Sequence, residues 1–76
     1  MKNITKYFSA EAVAELHKQL NVVLSDEYDY SEDELGELYA MVTEEFPYEF
    51  TSEGEPLYLG RIFEQIIDAF VKMGVV

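Results

Sequence analysis

The chain is 76 residues long, 49% hydrophobic, and carries 16 acidic residues against five basic ones, for a formal net charge of −11 at pH 7. A chain of this size forms one domain that buries roughly 60% of its unfolded surface, with no room for a separate catalytic domain. Cysteine is absent, which excludes a disulfide framework and a thiolate metal site, so an apolar core must hold the fold.

Ser9 is a good N-cap, and Phe8 and Val13 are spaced as the two halves of a hydrophobic staple. From there Val13, Leu16, Leu20, Val23 and Leu24 recur at three- and four-residue steps, which predicts a first helix through about Leu24. His17 sits at the edge of that stripe and is read as a boundary residue with no role. The stretch Ser25-Asp26-Glu27-Tyr28-Asp29-Tyr30 reads as an acidic turn.

The second helix opens on Ser31, which forms a capping box with Glu34, while Tyr30 is placed to staple onto Leu35. Glu32, Asp33 and Glu34 also suit the positive end of the helix dipole. Leu35, Leu38, Tyr39, Val42 and Phe46 make its buried stripe, Gly36 weakens it by about 1 kcal/mol, and Pro47 ends it near Phe46. Opposite the stripe lie Asp33, Glu37 and Glu44, flanked by Glu34 and Glu45. Glu44 and Glu45 stand in the last turn, where carboxylates oppose the dipole, so capping does not account for them.

Residues 47–56 read as a loop with Gly54 and Pro56 as punctuation, in which Tyr48 or Phe50 tucks back onto the core. A short fourth helical turn within residues 47–58 is an alternative, and a hairpin in the same stretch a further one. A third helix runs from about Leu57 to Met73, with Gly74 as its C′ residue, and presents Ile62, Phe63, Ile66, Ile67, Phe70 and Val71 on a wide apolar arc. Arg61, Gln65, Asp68 and Lys72 form its polar face, with Asp68 and Lys72 at a favourable spacing for an ion pair. The expected fold is therefore an all-α, compact three-helix bundle in a single domain.

Twelve acidic residues and no basic one fall between Asp26 and Glu55, and all five Lys and Arg lie outside that window. Such a field repels nucleic acid and anionic membrane surfaces, which are both bound through Lys and Arg. No apolar stretch reaches a membrane span and no signal-peptide core follows Met1, so the expectation is a soluble, cytoplasmic protein with no membrane or direct nucleic-acid partner. The catalytic inventory is one His and one Arg, with no Cys and no glycine-rich phosphate loop, which argues against an enzyme and against a cofactor. A calcium loop fails on register: begun at Asp29, it puts Glu34 where the turn needs Gly and Ala40 where a bidentate acid belongs. No metal site is expected.

What remains is recognition. Tyr28 and Tyr30 stand among Asp26, Glu27 and Asp29, and Tyr48 and Phe50 flank Glu49, a mixture suited to an interface in which Tyr gives contact area and carboxylates steer a basic partner. Asp33, Glu37 and Glu44 span about 16 Å of helix at 1.5 Å per residue, against roughly 6 to 7 Å between phosphates along one strand, so their ridge matches three phosphate positions. The expected contact set is Asp26, Glu27, Tyr28, Asp29, Tyr30, Asp33, Glu37, Glu44, Glu45 and Glu49, with the two tyrosines as anchors. The expected partner is a basic, nucleic-acid-handling protein, and the chain itself a monomer or weak homodimer.

In size, acidity and lack of enzymatic parts the chain resembles the small acidic inhibitors of phages and mobile elements, the DNA-mimicking anti-restriction and anti-CRISPR proteins. These share no common motif, so the resemblance implies a mode of action and no particular residue. In helix order it is also similar to the colicin-nuclease immunity proteins, which would imply neutralisation of a basic toxin. Those proteins carry a Tyr-Tyr-Pro element after their second acidic helix, and here the stretch reads Glu55-Pro56-Leu57-Tyr58. A different class altogether is a module that self-associates through the apolar arc of its last helix and the end Met73-Gly74-Val75-Val76, its acidic face merely solvated.

Overall fold

A computed structural model describes residues 2–48, 51–55 and 57–75. The first helical element precedes the one expected from the sequence: a 3₁₀ turn, Ile4–Tyr7, whose Ile4 side chain is completely buried. Helix α1, Ala10–Leu20, then starts where its cap predicts, with Ser9 Oγ accepting from the Ala12 backbone N–H at 3.1 Å. The same hydroxyl donates to Gln65 Oε1 at 2.8 Å, so the cap also ties α1 to the third helix.

α1 stops at Leu20 rather than Leu24. Asn21 takes a left-handed conformation (φ 56°), one of the few side chains that tolerates it, and its N–H bonds back to the His17 carbonyl. Val22 N–H closes onto the Leu16 carbonyl, and the chain leaves the helix extended. Val23, expected on the apolar stripe, is therefore 73% exposed, while Leu16 and Ala12 take the fully buried positions.

Helix α2, Glu32–Glu45, carries the complete capping box: Glu34 N–H donates to Ser31 Oγ at 3.2 Å, and Ser31 N–H returns to Glu34 Oε1 at 3.1 Å. Leu35, Leu38, Val42 and the C-capping Phe46 are buried and Tyr39 is half-buried, the stripe the 3.6-residue period predicts. Helix α3, Tyr58–Met73, ends in Gly74 at φ 80°. Gly74 N–H bonds to the Val71 carbonyl and Val75 N–H to that of Phe70, a Schellman closure that needs glycine's access to positive φ.

The 3₁₀ turn, α1 and α2 all pack against α3, which makes it the central element. Its Ile62, Ile66 and Phe70 are fully buried, and Phe70 takes edge-on contacts from Phe8 and Tyr39 at centroid distances of 5.7 and 5.5 Å. Val71 lies off this arc, 53% exposed, because the buried face is narrower than the run of apolar residues suggests. Tyr48 does fold back, its ring 4.5 Å from that of Phe63. The described part of the next segment is a turn and not a helix: Thr51 N–H donates to the Glu55 carbonyl, and Gly54 N–H, at φ 85°, to the Thr51 carbonyl. No strand occurs among the described residues. The result is an all-α three-helix bundle with an added 3₁₀ turn.

Candidate acidic interface

The acidic window divides into two regions that use their carboxylates differently. The first is the turn between α1 and α2. Thr5 Oγ1 lies 2.6 Å from both carboxylate oxygens of Asp26, Thr5 N–H donates to Asp26 Oδ1 at 2.9 Å, and Asn3 N–H donates to the Asp26 carbonyl at 3.0 Å. These bonds latch the 3₁₀ turn to the acidic loop. The Thr5 hydroxyl, then the Thr5 N–H and the charge of Lys6, hold the Asp26 carboxyl below its ordinary range.

Tyr28 and Tyr30 meet edge to face, centroids 4.7 Å apart. The Tyr28 hydroxyl donates to Glu34 Oε2 at 2.7 Å, which raises the tyrosine pKa and lowers that of Glu34, with the Ser31 N–H also stabilising the Glu34 carboxylate. The Tyr30 hydroxyl accepts from Ser25 N–H at 3.1 Å. Tyr28 is half exposed and Tyr30 half-buried, so the two rings form a braced aromatic corner rather than a pair of loose anchors. Glu34 is thus shared between the capping box and Tyr28, and Asp26 is held by Thr5. Glu27 and Asp29 are exposed.

The second region is the solvent face of α2. Asp33, Glu37 and Glu44 recur at steps of four and seven residues opposite the buried stripe, and all three are exposed, as is Glu45 on the flank. Among the described residues none hydrogen-bonds or forms an ion pair with these four side chains. The ion pair expected on α3 does form, Lys72 Nζ to Asp68 Oδ2 at 3.0 Å. Glu45 shares a shallow cleft with His17, Lys18 and Asn21 at the end of α1. Glu49 and Phe50 lie outside the described residues.

Two features of this surface were not foreseen from the sequence. The Thr5–Asp26 latch joins residues 21 apart, a contact no local pattern announces. The other is a groove between the first turn of α2 and the last of α3, lined in part by Tyr30, Leu35, Gly36 and Met73. Among the described residues, no group of three or more His, Asp or Glu side chains is arranged to hold a metal ion, and no helix is long and apolar enough to cross a membrane. No protein-family model, curated protein or solved structure matches the chain.

Proposed function

We propose that the chain is a protein-binding inhibitor that docks on a basic, nucleic-acid-handling protein, with the carboxylates of α2 occupying sites that otherwise hold phosphates. The observation that carries this reading is the ridge of Asp33, Glu37 and Glu44, exposed along α2 with no intramolecular partner among the described residues. Unpaired like charges on one helix face destabilise the free protein by self-repulsion, at a cost a merely soluble domain can avoid by interspersing Lys and Arg. Here no Lys or Arg occurs from Gln19 to Gly60, so α2 itself carries no cation to offset its carboxylates, and Lys18 of α1 approaches only its last turn, beside Glu45. A partner rich in Lys and Arg would find charge complementarity, fast encounter and strong salt dependence.

Capture from a nuclease-treated host lysate at low salt, followed by elution with duplex DNA, tests the reading. The expected result is a DNA-binding protein released by DNA and absent when Asp33, Glu37 and Glu44 are changed together to Gln. Equal capture by that variant would overturn the ridge as the contact surface. A captured partner that DNA does not displace would overturn phosphate mimicry and favour neutralisation away from a nucleic-acid groove.

A further inference from the structure

Gly36 lies in the interior of α2, where glycine costs about 1 kcal/mol of helix stability relative to alanine. Glycine is kept in helices when a side chain would clash, but a β-carbon built at Gly36 meets nothing within 4 Å among the described residues, and its backbone is ordinarily helical. Among the described residues nothing calls for glycine at this position. The open space in front of it is a groove of about 400 Å³ between the first turn of α2 and the last of α3. Leu35, Met73 and Val75 give it apolar walls, Tyr30 an aromatic one, and Glu32 a carboxylate at the rim.

We propose that this groove seats one arginine side chain of the basic partner, and that Gly36 is the open door through which it enters. The inference rests on the docking reading above for the source of the arginine. Three properties select this occupant. Apolar walls suit the aliphatic stem of arginine while its head stays near charge and water, which is how long cationic side chains are accommodated. The Tyr30 ring is held by the Ser25 bond and by Tyr28, a preorganised surface against which a planar, weakly hydrated guanidinium stacks better than an ammonium. Finally, the C-terminal end of α3 faces the groove and the Glu32 carboxylate lines it, and each favours a cation there. Glu32 has no hydrogen-bonding or ionic partner among the described residues. It lies one turn from Gly36, and Gly36 is in turn the i, i+3 neighbour of Asp33, so the groove borders the N-terminal end of the ridge. Buried arginines in desolvated pockets are frequent centres of binding energy.

The test uses the intact chain and N-acetyl-arginine amide at millimolar concentration, followed by two-dimensional NMR of the backbone amides. Saturable shifts are expected at Leu35, Gly36, Met73 and Val75, weaker with N-acetyl-lysine amide, retained in the Asp33, Glu37, Glu44 to Gln variant and lost in Gly36→Gln. Thermal melting supplies the second arm: Gly36→Ala should raise Tm by about 4–8 °C, since the helix gains and nothing clashes. Non-saturating shifts spread along the ridge would overturn the proposal, as would a lowered Tm for Gly36→Ala, which would give the glycine a structural role. Tighter binding of N-acetyl-leucine amide at the same residues would overturn it in favour of an apolar anchor. With a captured partner in hand, loss of capture by the triple variant but not by Gly36→Gln overturns the groove and leaves the docking reading standing. Capture that survives the triple variant overturns the docking reading, and the titration then decides the groove alone.

Discussion

The acidic turn before α2 and the solvent face of α2 are adjacent in sequence and alike in composition, yet their carboxylates have opposite fates. In the turn, Asp26 is consumed by Thr5 and Tyr28 is bonded to the capping Glu34, so charge and ring are part of the fold. On the helix face, Asp33, Glu37 and Glu44 have no hydrogen-bonding or ionic partner among the described residues and repel one another, and only Asp33, in the first turn, has the helix dipole to stabilise it. The contrast teaches that net charge alone says little about function. What separates a structural acid from a candidate contact is whether the folded chain already supplies its hydrogen-bond donor.

The largest expected effect breaks the comparison at the ridge. Changing Asp33, Glu37 and Glu44 to Gln should weaken capture of the basic partner at least about 100-fold, roughly 3 kcal/mol, with Tm little changed, because the repulsion relieved offsets the dipole interaction that Asp33 loses. Titrating the purified variant against the captured partner by calorimetry, alongside a melting curve, reads both. A fall in Tm would move the ridge into the structural class.

A smaller effect is expected where the two regions join. Ser31→Ala removes the acceptor of the Glu34 N–H and should cost about 1 kcal/mol in urea unfolding, without loss of partner affinity. Smaller still, Asp26→Asn should lower Tm by loosening the latch to Thr5, again with capture intact, which is the mirror image of the ridge variant.

The turn also carries the acid sensitivity of the fold. Asp26 and Glu34 are held below their ordinary ranges when folded, so their contribution is complete above the unfolded carboxylate range, about pH 4, and disappears as pH falls through the lower folded values. Circular dichroism from pH 6 to 2 should therefore show stability falling below about pH 4, with Asp26→Asn giving a shallower fall. An identical slope in that variant would remove Asp26 from the account. The smallest effect sharpens the ridge: added salt should raise Tm modestly by screening the net charge of −11 while weakening partner capture steeply.

Much of the helix grammar was legible because it is local. The Ser9 and Ser31 caps, the Glu34 return bond and the Gly74 closure each need only residues within a turn or two, and all occur. Where the local pattern continued past a stop signal it misled. Val23 and Leu24 extend the periodicity of α1, but Asn21 ends the helix in a left-handed conformation before they are reached. The Ile4–Tyr7 turn escaped notice because four residues show too little of a period, and Ile4 is buried by α3 from the other end of the chain.

By itself the sequence determined the three helices, their principal apolar faces, the acidic stripe opposite the core of α2 and the absence of cysteine chemistry. These follow from periodicity, capping and composition, which act over a few residues. Only the tertiary structure decided which acids are committed and which stand unpaired. It also decided that Tyr28 and Tyr30 form a braced corner, and that the unfilled space at Gly36 opens into a groove against Met73 and Val75. The Asp26 latch and the groove depend on residues 21 to almost 40 positions apart, whose closeness is set by how the elements pack on α3, while the tyrosine corner spans at most six positions but lies in an irregular turn that no helical period describes.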